Sequence, residues 1–229
     1  SSGPARDRRI KWNNTYTLGG IANAAQQARM GHLALLLHPR PERTGYIGIA
    51  TGITASSALR DPAVREVTAV ELSPEITHLA CQFFADANAG LCASPQVRVV
   101  VEDGRMFFHA SRDVYDVIVG DLFVPWQAGT ANLYTREQFA AVRDHLAPGG
   151  LFAQWLPLFQ LDAAGFFGIA ATFEAVFPNA WLAIADFQPY NPALALVGWR
   201  DAAGAPAAGT IAARCREVSP LGRLREPML

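Results

Sequence analysis

Gly45-Tyr46-Ile47-Gly48-Ile49-Ala50-Thr51-Gly52 is a short apolar run closed by small residues, and Ile53 to Leu59 after it reads as helix. A strand that turns directly into a helix over small residues is how a βαβ unit opens. The pattern repeats downstream. Val67-Thr-Ala-Val-Glu71 is a second strand, and Ser73-Pro74 opens a helix to about Asp86, with Ser as N-cap and Pro in the first turn. Val97–Val101 is a third strand, followed by a short helix near Arg105–Ala110. Tyr115–Gly120 is a fourth, ending at Asp121. Thr135 caps the next helix with Gln138 at the capping-box position, and Ala147-Pro148-Gly149-Gly150 is its stop signal. Leu151–Leu156 is a fifth strand and Ala163–Phe177 a helix. Ala180–Ala185 and Ala193–Trp199 flank Gln188-Pro-Tyr-Asn-Pro192 and read as an antiparallel hairpin.

Strands alternating with helices predict an α/β fold, a mostly parallel sheet covered on both faces. A closing hairpin is what the S-adenosylmethionine-dependent methyltransferase variant of the Rossmann-like fold adds, so seven strands are expected. Residues 1–44 stand outside the alternation and suggest a small β-rich segment with one helix around Ala22–Leu37. The nucleotide-binding catalytic domain is expected over 45–200. A tail over 201–229, rich in Ala, Gly and Pro, is expected to pack loosely. The Ser1-Ser2-Gly3 start, without Met, reads as an expression scar or as a cut from something longer.

Composition narrows the function classes. The 229 residues are 51% hydrophobic and 17% charged, with 19 basic and 20 acidic side chains. Without a basic excess there is no counterion release to drive nucleic-acid binding, nor attraction to an anionic membrane. Lys11 is the single lysine, and it lies in no Gly-rich loop, which argues against a Schiff base or a P-loop. The longest uncharged stretch, His145–Leu161, is interrupted by Pro148, Gly149, Gly150 and Pro157, so no insertion of this chain into a membrane is expected. Cys81, Cys92 and Cys215 fit no metal or redox spacing and read as three reduced thiols, which implies a reducing, cytoplasmic setting. The histidines form no ligand spacing, so no metal is expected.

In such sheets a ligand binds outside the carboxyl ends of the strands. Four segments put chemistry there. Gly48-Ile-Ala-Thr51-Gly52 is a tight strand-to-helix turn. Glu71, 23 residues after Gly48, is placed to accept both hydroxyls of a ribose. Asp103-Gly104 follows the third strand, where the acid either accepts from an adenine amino group or serves as an Asx turn or helix cap. Asp121 ends a buried strand, where partial desolvation raises a carboxylate's pKa and suits it to be a base. Without the full Gly-x-Gly-x-x-Gly fingerprint, the four together favour S-adenosylmethionine chemistry over hydride transfer.

The runs His32-Leu-Ala-Leu-Leu-Leu-His38-Pro39, Gly48–Gly52, Val70-Glu71-Leu-Ser-Pro74, Val101-Glu-Asp103-Gly104-Arg105, Tyr115–Asp121, Leu133-Tyr134-Thr135-Arg136-Glu137 and Leu146-Ala-Pro-Gly-Gly150 resemble the polyamine aminopropyltransferases, the spermidine synthase-like proteins. Pro125-Trp126-Gln-Ala-Gly129 and Ala153-Gln154-Trp155-Leu156-Pro157-Leu158 look closest to a divergent branch often fused to membrane-spanning segments. The resemblance implies that Glu71 holds the ribose, Asp103 the adenine, and Gln27 another part of the cofactor, with Gly48, Thr51, Gly52 and Gly104 forming the turns around it. It implies Asp121 as the base that deprotonates an attacking amine. Tyr134, Gln154 and Trp126 are expected around the substrate. The implied cofactor is decarboxylated S-adenosylmethionine, or the intact form, and the implied partners are a small-molecule amine and a second copy in a homodimer.

Two positions depart from the family pattern. Its acids in the Gly-rich turn and three residues after the base are here Thr51 and Val124. Each lost charge-assisted contact to an ammonium is worth about 1.5–3 kcal/mol. Three functions are therefore compared: aminopropyl transfer, an S-adenosylmethionine-dependent methyltransferase or related enzyme on a non-polyamine substrate, and a non-catalytic nucleotide-binding domain.

Overall fold

The computed structural model describes residues 8–13, 16–125, 129–186, 192–201 and 206–217. Its centre is the strand that contains Gly45. Strand β3 (Arg43–Ile47) pairs in parallel with β4 (Glu66–Glu71) on one side and β6 (Tyr115–Gly120) on the other. Beyond β4 lies β5 (Val97–Val101), and beyond β6 lies β7 (Leu146–Pro157). Then β9 (Ala193–Trp199) runs antiparallel to β7, with β8 (Trp181–Asp186) at the edge. The order β5-β4-β3-β6-β7-β9-β8 reverses direction between β3 and β6, which opens a crevice at their carboxyl ends. The seven-stranded, mostly parallel sheet with a closing antiparallel hairpin is the architecture expected above.

Two-residue alternation along each strand feeds two cores. On one face Tyr46, Val67, Val117 and Trp155 pack with Met30, Ala34 and Leu35 of α1 (Ala24–Leu36). On the other, Ile47, Ile118 and Phe152 meet Phe139 of α5 (Arg136–Asp144) and Phe173 of α6 (Ala163–Glu174). Phe173 stacks on Phe177 with centroids 4.7 Å apart. Each such buried aromatic contributes roughly 1.5–3 kcal/mol through area alone.

Several expectations need correction. A boundary at residue 44 cuts β3, and α1 belongs to the sheet's core rather than to a separate segment. A Cβ on Gly31 would stand 2.3 Å from the carbonyl oxygen of Thr54, so α1 lies directly against α2 (Ile53–Ser56). Of the first 44 residues, the hairpin β1 (Arg9–Trp12) and β2 (Tyr16–Gly20) forms a sheet of its own. Ala147–Gly150 is not a gap between helix and strand. The register passes from Tyr115↔Leu146 to Val117↔Leu151, so these four residues bulge out of β7, with Gly149 at φ +77°.

The tail is not uniformly loose. Helix α7 (Ala208–Glu217) inserts Arg214, which donates to Asp61 Oδ2 at 2.5 Å with both side chains buried. Nor are all three cysteines thiols. Cys81, in the last turn of α3 (Pro74–Phe83), is disulfide-bonded to Cys92, with Cα atoms 5.5 Å apart. A helix end and a following turn bring the pair together, which linear spacing does not show. Cys215 is free and exposed. A bridge with sequence separation 11 is worth about 3 kcal/mol through loop closure. Cys81→Ser should lower the urea midpoint accordingly, and the native protein should lose the same amount when reduced. Among the described residues, no helix is long and apolar enough to cross a membrane.

Candidate active site

The carboxyl ends of β3, β4 and β6 and the start of α4 (Gly104–Ala110) surround a cleft of about 240 Å³. Its floor is the turn after β3. Gly48 adopts φ +86°, and a Cβ there would press on the Asp121 Cβ and the Phe123 ring, each at 3.2 Å. Glycine thus supplies both the left-handed conformation and the open floor. Glu71 is oriented by the same turn: Oε2 accepts from the amides of Ile49 at 2.9 Å and Ala50 at 3.4 Å, and Oε1 from Ser73 at 3.1 Å.

Asp103 caps α4, its Oδ1 accepting from the Arg105 amide at 2.9 Å. The Arg105 guanidinium also clasps both carboxylate oxygens, at 3.2 and 2.7 Å, and holds the carboxyl below its ordinary pKa. The cap and the cleft position hold together, because Asp103 lines the cleft as well. Gly104 lets α4 sit on β3, since a Cβ there would be 2.7 Å from Ile47 Cγ2. Apolar Ile76 and Leu133 complete walls suited to a flat ring, with acids at the polar end.

Asp121 stands at the end of β6. Its amide donates to the Ile47 carbonyl at 3.0 Å, and its Oδ1 accepts from Leu122 N–H at 2.8 Å. Burial pushes its pKa up to about 7; the Leu122 amide opposes this and the Glu71 charge adds to it. Asp121 also lines a second chamber of about 260 Å³, on the far side from Glu71. That chamber is bounded by Tyr16 and Gly19 of β2, Asn23, Gln26 and Gln27 at the start of α1, and Gln160 after β7. The two chambers meet at one carboxylate poised near neutrality.

Gln27 lines the second chamber, tied down by its neighbours: Nε2 donates to the Gly20 carbonyl at 2.9 Å, and Oε1 accepts from the Thr51 hydroxyl at 2.5 Å. Thr51 is completely buried, and its hydroxyl meets the chamber wall through Gln27. Gly52, at φ +79°, lies under the Asn88 amide, which bonds the Thr51 carbonyl.

Tyr134 and Gln154 line neither chamber. The Tyr134 hydroxyl donates to the Phe123 carbonyl at 2.9 Å, and burial pushes that phenol well above its ordinary pKa. Gln154, 1% exposed, donates through Nε2 to the carbonyls of Asp121 and Trp155, each at 3.0 Å. Both support the Asp121 loop from beneath, which corrects the substrate contact expected of them. Trp126 lies outside the described residues. Tyr16, Asn23, Gln26 and Gln160 are lining residues that no motif marks. They come from three separate segments, and only the tertiary fold assembles them.

Residues 23–191 match the family model of the spermine/spermidine synthase domain. Polyamine aminopropyltransferase 2 of Hyperthermus butylicus is 36% identical over 120 residues, covering 52% of this chain and 39% of that protein. Polyamine aminopropyltransferase 2 of Pseudomonas aeruginosa is 30% identical over 188 residues, covering 74% and 54% respectively. The chain thus spans about half the length, or less, of these curated relatives. Among solved structures, a spermidine synthase in complex with the transition-state analogue AdoDATO superposes with a TM-score of 0.71 at 20% identity, over 81% of this chain and 64% of that one. Human methyltransferase-like protein 13 in complex with SAH superposes with 0.68 at 20% identity, over 89% and 93%. These two share the fold. With the family model matched from the start of α1 through the end of β8, the chain belongs to the spermine/spermidine synthase family.

Proposed function

We propose that this domain transfers an aminopropyl group from decarboxylated S-adenosylmethionine to a primary amine, with Asp121 as the base. The observation that carries the reading is the position of Asp121. Among the described residues it is the one carboxylate that lines both the cleft and the second chamber, at the end of a central strand, with a pKa near 7. A general base works best when its pKa lies near the operating pH.

When bound, decarboxylated S-adenosylmethionine supplies a carbon activated by its sulfonium and a neutral leaving group, methylthioadenosine. The residues present fit its nucleoside part. Glu71, pre-oriented by three backbone amides, accepts from the ribose hydroxyls, and Asp103 faces the adenine edge between Ile76 and Leu133. The second chamber admits the amine and aligns its lone pair on the activated carbon. A C–N bond forms as the C–S bond breaks, and the electron pair of that bond goes to sulfur. Before that attack Asp121 takes the proton that the incoming ammonium carries, which frees the lone pair, and passes it to water. Little beyond alignment and one base is needed, because the leaving group departs without help.

The test is to supply decarboxylated S-adenosylmethionine with a panel of primary amines at pH 8 and measure methylthioadenosine. Amine-dependent release is the expected result. No release with any amine, or S-adenosylhomocysteine formed from intact S-adenosylmethionine, would overturn the reading in favour of a binding domain or a methyltransferase respectively.

A further inference from the structure

The lining of the second chamber carries information about what enters it. Among the described residues that bound it, Asp121 is the one carboxylate. The remaining polar side chains are neutral: the amides of Asn23, Gln26, Gln27 and Gln160, the phenol of Tyr16 and the hydroxyl of Thr17. Tyr16 holds its proton more firmly than a free tyrosine, because burial and the Asp121 charge both push its pKa up. An acid does lie close behind the wall, at the end of β8. Asp186 accepts from Gln26 Nε2 at 3.1 Å and is ion-paired with Arg29 at 2.9 Å. Its charge is answered inside the protein.

Once Asp121 is assigned to the reacting nitrogen, no carboxylate among the described residues that line the chamber is left for a second ammonium. Such a group would exchange water for neutral acceptors. Charge-assisted hydrogen bonds are roughly twice as strong as neutral ones, and an ion taken from water without a counter-charge loses solvation it does not regain. A hydroxyl or amide suffers no such loss. Gln160 also offers an opening for one: its side chain interacts with the Tyr16 hydroxyl, and its Oε1 is buried without a hydrogen-bond partner. A buried acceptor in that state gains from any neutral O–H or N–H brought to it.

Building on the aminopropyl-transfer reading, we infer that the acceptor is a primary amine carrying a single positive charge, with a neutral hydrogen-bonding remainder, and not a diamine or polyamine. Amino alcohols are the simplest members of that class. Neutral amides and the Tyr16 ring contact such a chain along its length, while Asp121 receives the proton that its one ammonium carries.

The experiment compares 4-amino-1-butanol with 1,4-diaminobutane at pH 8, using decarboxylated S-adenosylmethionine as donor and methylthioadenosine release as readout. The kcat/KM ratio of amino alcohol to diamine is expected to be at least about ten, the value of one forfeited charge-assisted contact. Gln160→Glu, nearly isosteric, places a carboxylate in the lining and should lower that ratio at least tenfold. A ratio of one or less in the native protein overturns the inference, as does a ratio unmoved by Gln160→Glu. Release with neither amine overturns the transferase reading instead, so the two failures are distinct.

Discussion

Asp121→Asn is expected to lower kcat by about 10²–10⁴, the usual worth of a positioned general base, while making the folded protein more stable at pH 8. The two effects share one cause. Burial raises the Asp121 pKa to about 7, against about 3.9 for an unfolded chain. A raised carboxylate binds its proton more tightly when folded. The associated stability is therefore fully present below about pH 4 and is lost as pH rises through about 7. Above that, the ionised carboxylate costs the fold on the order of 4 kcal/mol. Asparagine carries no charge at any pH and avoids the cost. Thermal melts of the two proteins should accordingly coincide near pH 4 and separate above pH 7, with the variant higher. Native kcat/KM should rise as pH passes about 7, and the residual rate of the variant should show no such step. Near-normal turnover would assign the proton to another group. Equal melts at pH 8 would mean that Asp121 is not desolvated.

Glu71→Ala should weaken methylthioadenosine binding by at least about 100-fold. In the proposed mode two ribose hydroxyls donate to this carboxylate, and hydrogen bonds to a charged group are worth about 1.5–3 kcal/mol each. Ile49, Ala50 and Ser73 also lose their common acceptor, so the turn beneath the ligand loses its anchor. Calorimetric titration of both proteins with methylthioadenosine measures the loss. A second readout separates this from general damage. The Glu71 charge helps to hold the Asp121 pKa up, so the midpoint of the kcat/KM profile should fall in the variant. Unchanged affinity would remove Glu71 from the nucleoside site.

Much of this arrangement is legible in the sequence, for reasons that differ by element. Strands β5 and β6 begin and end where the sequence predicts, because each is a short β-branched run with turn residues at both ends. Glu71, Asp103 and Asp121 converge because parallel strands deliver their carboxyl ends to one edge of the sheet. The bulge at Ala147–Gly150 was hidden, since Pro-Gly-Gly chemistry serves a helix stop and a strand bulge equally. Helix α1 lies where the sequence predicts one, but its apolar run carries no mark of which sheet it covers, and Gly31, the residue that lets it close on α2, looks like a weak point in a helix. The second chamber is the least legible part. Its neutral amides form no motif, and β2, α1 and the turn after β7 meet only when the sheet has closed.

The ion pair between Asp61 and Arg214 joins residues 153 positions apart. During synthesis the sheet emerges from the ribosome in the order β3, β4, β5, β6, β7, β8, β9, and Asp61 is among the first of its polar groups. Its guanidinium arrives only with the last helix. A buried acid lacking its cation is costly to a compact state, so a nascent chain ending before Arg214 pays that cost in any closed form it samples. Burial of Asp61 is thereby tied to the arrival of α7, and contacts of such long range are the slow ones to form. A helix that lines neither chamber thus answers a charge buried beside the strand at the centre of the sheet.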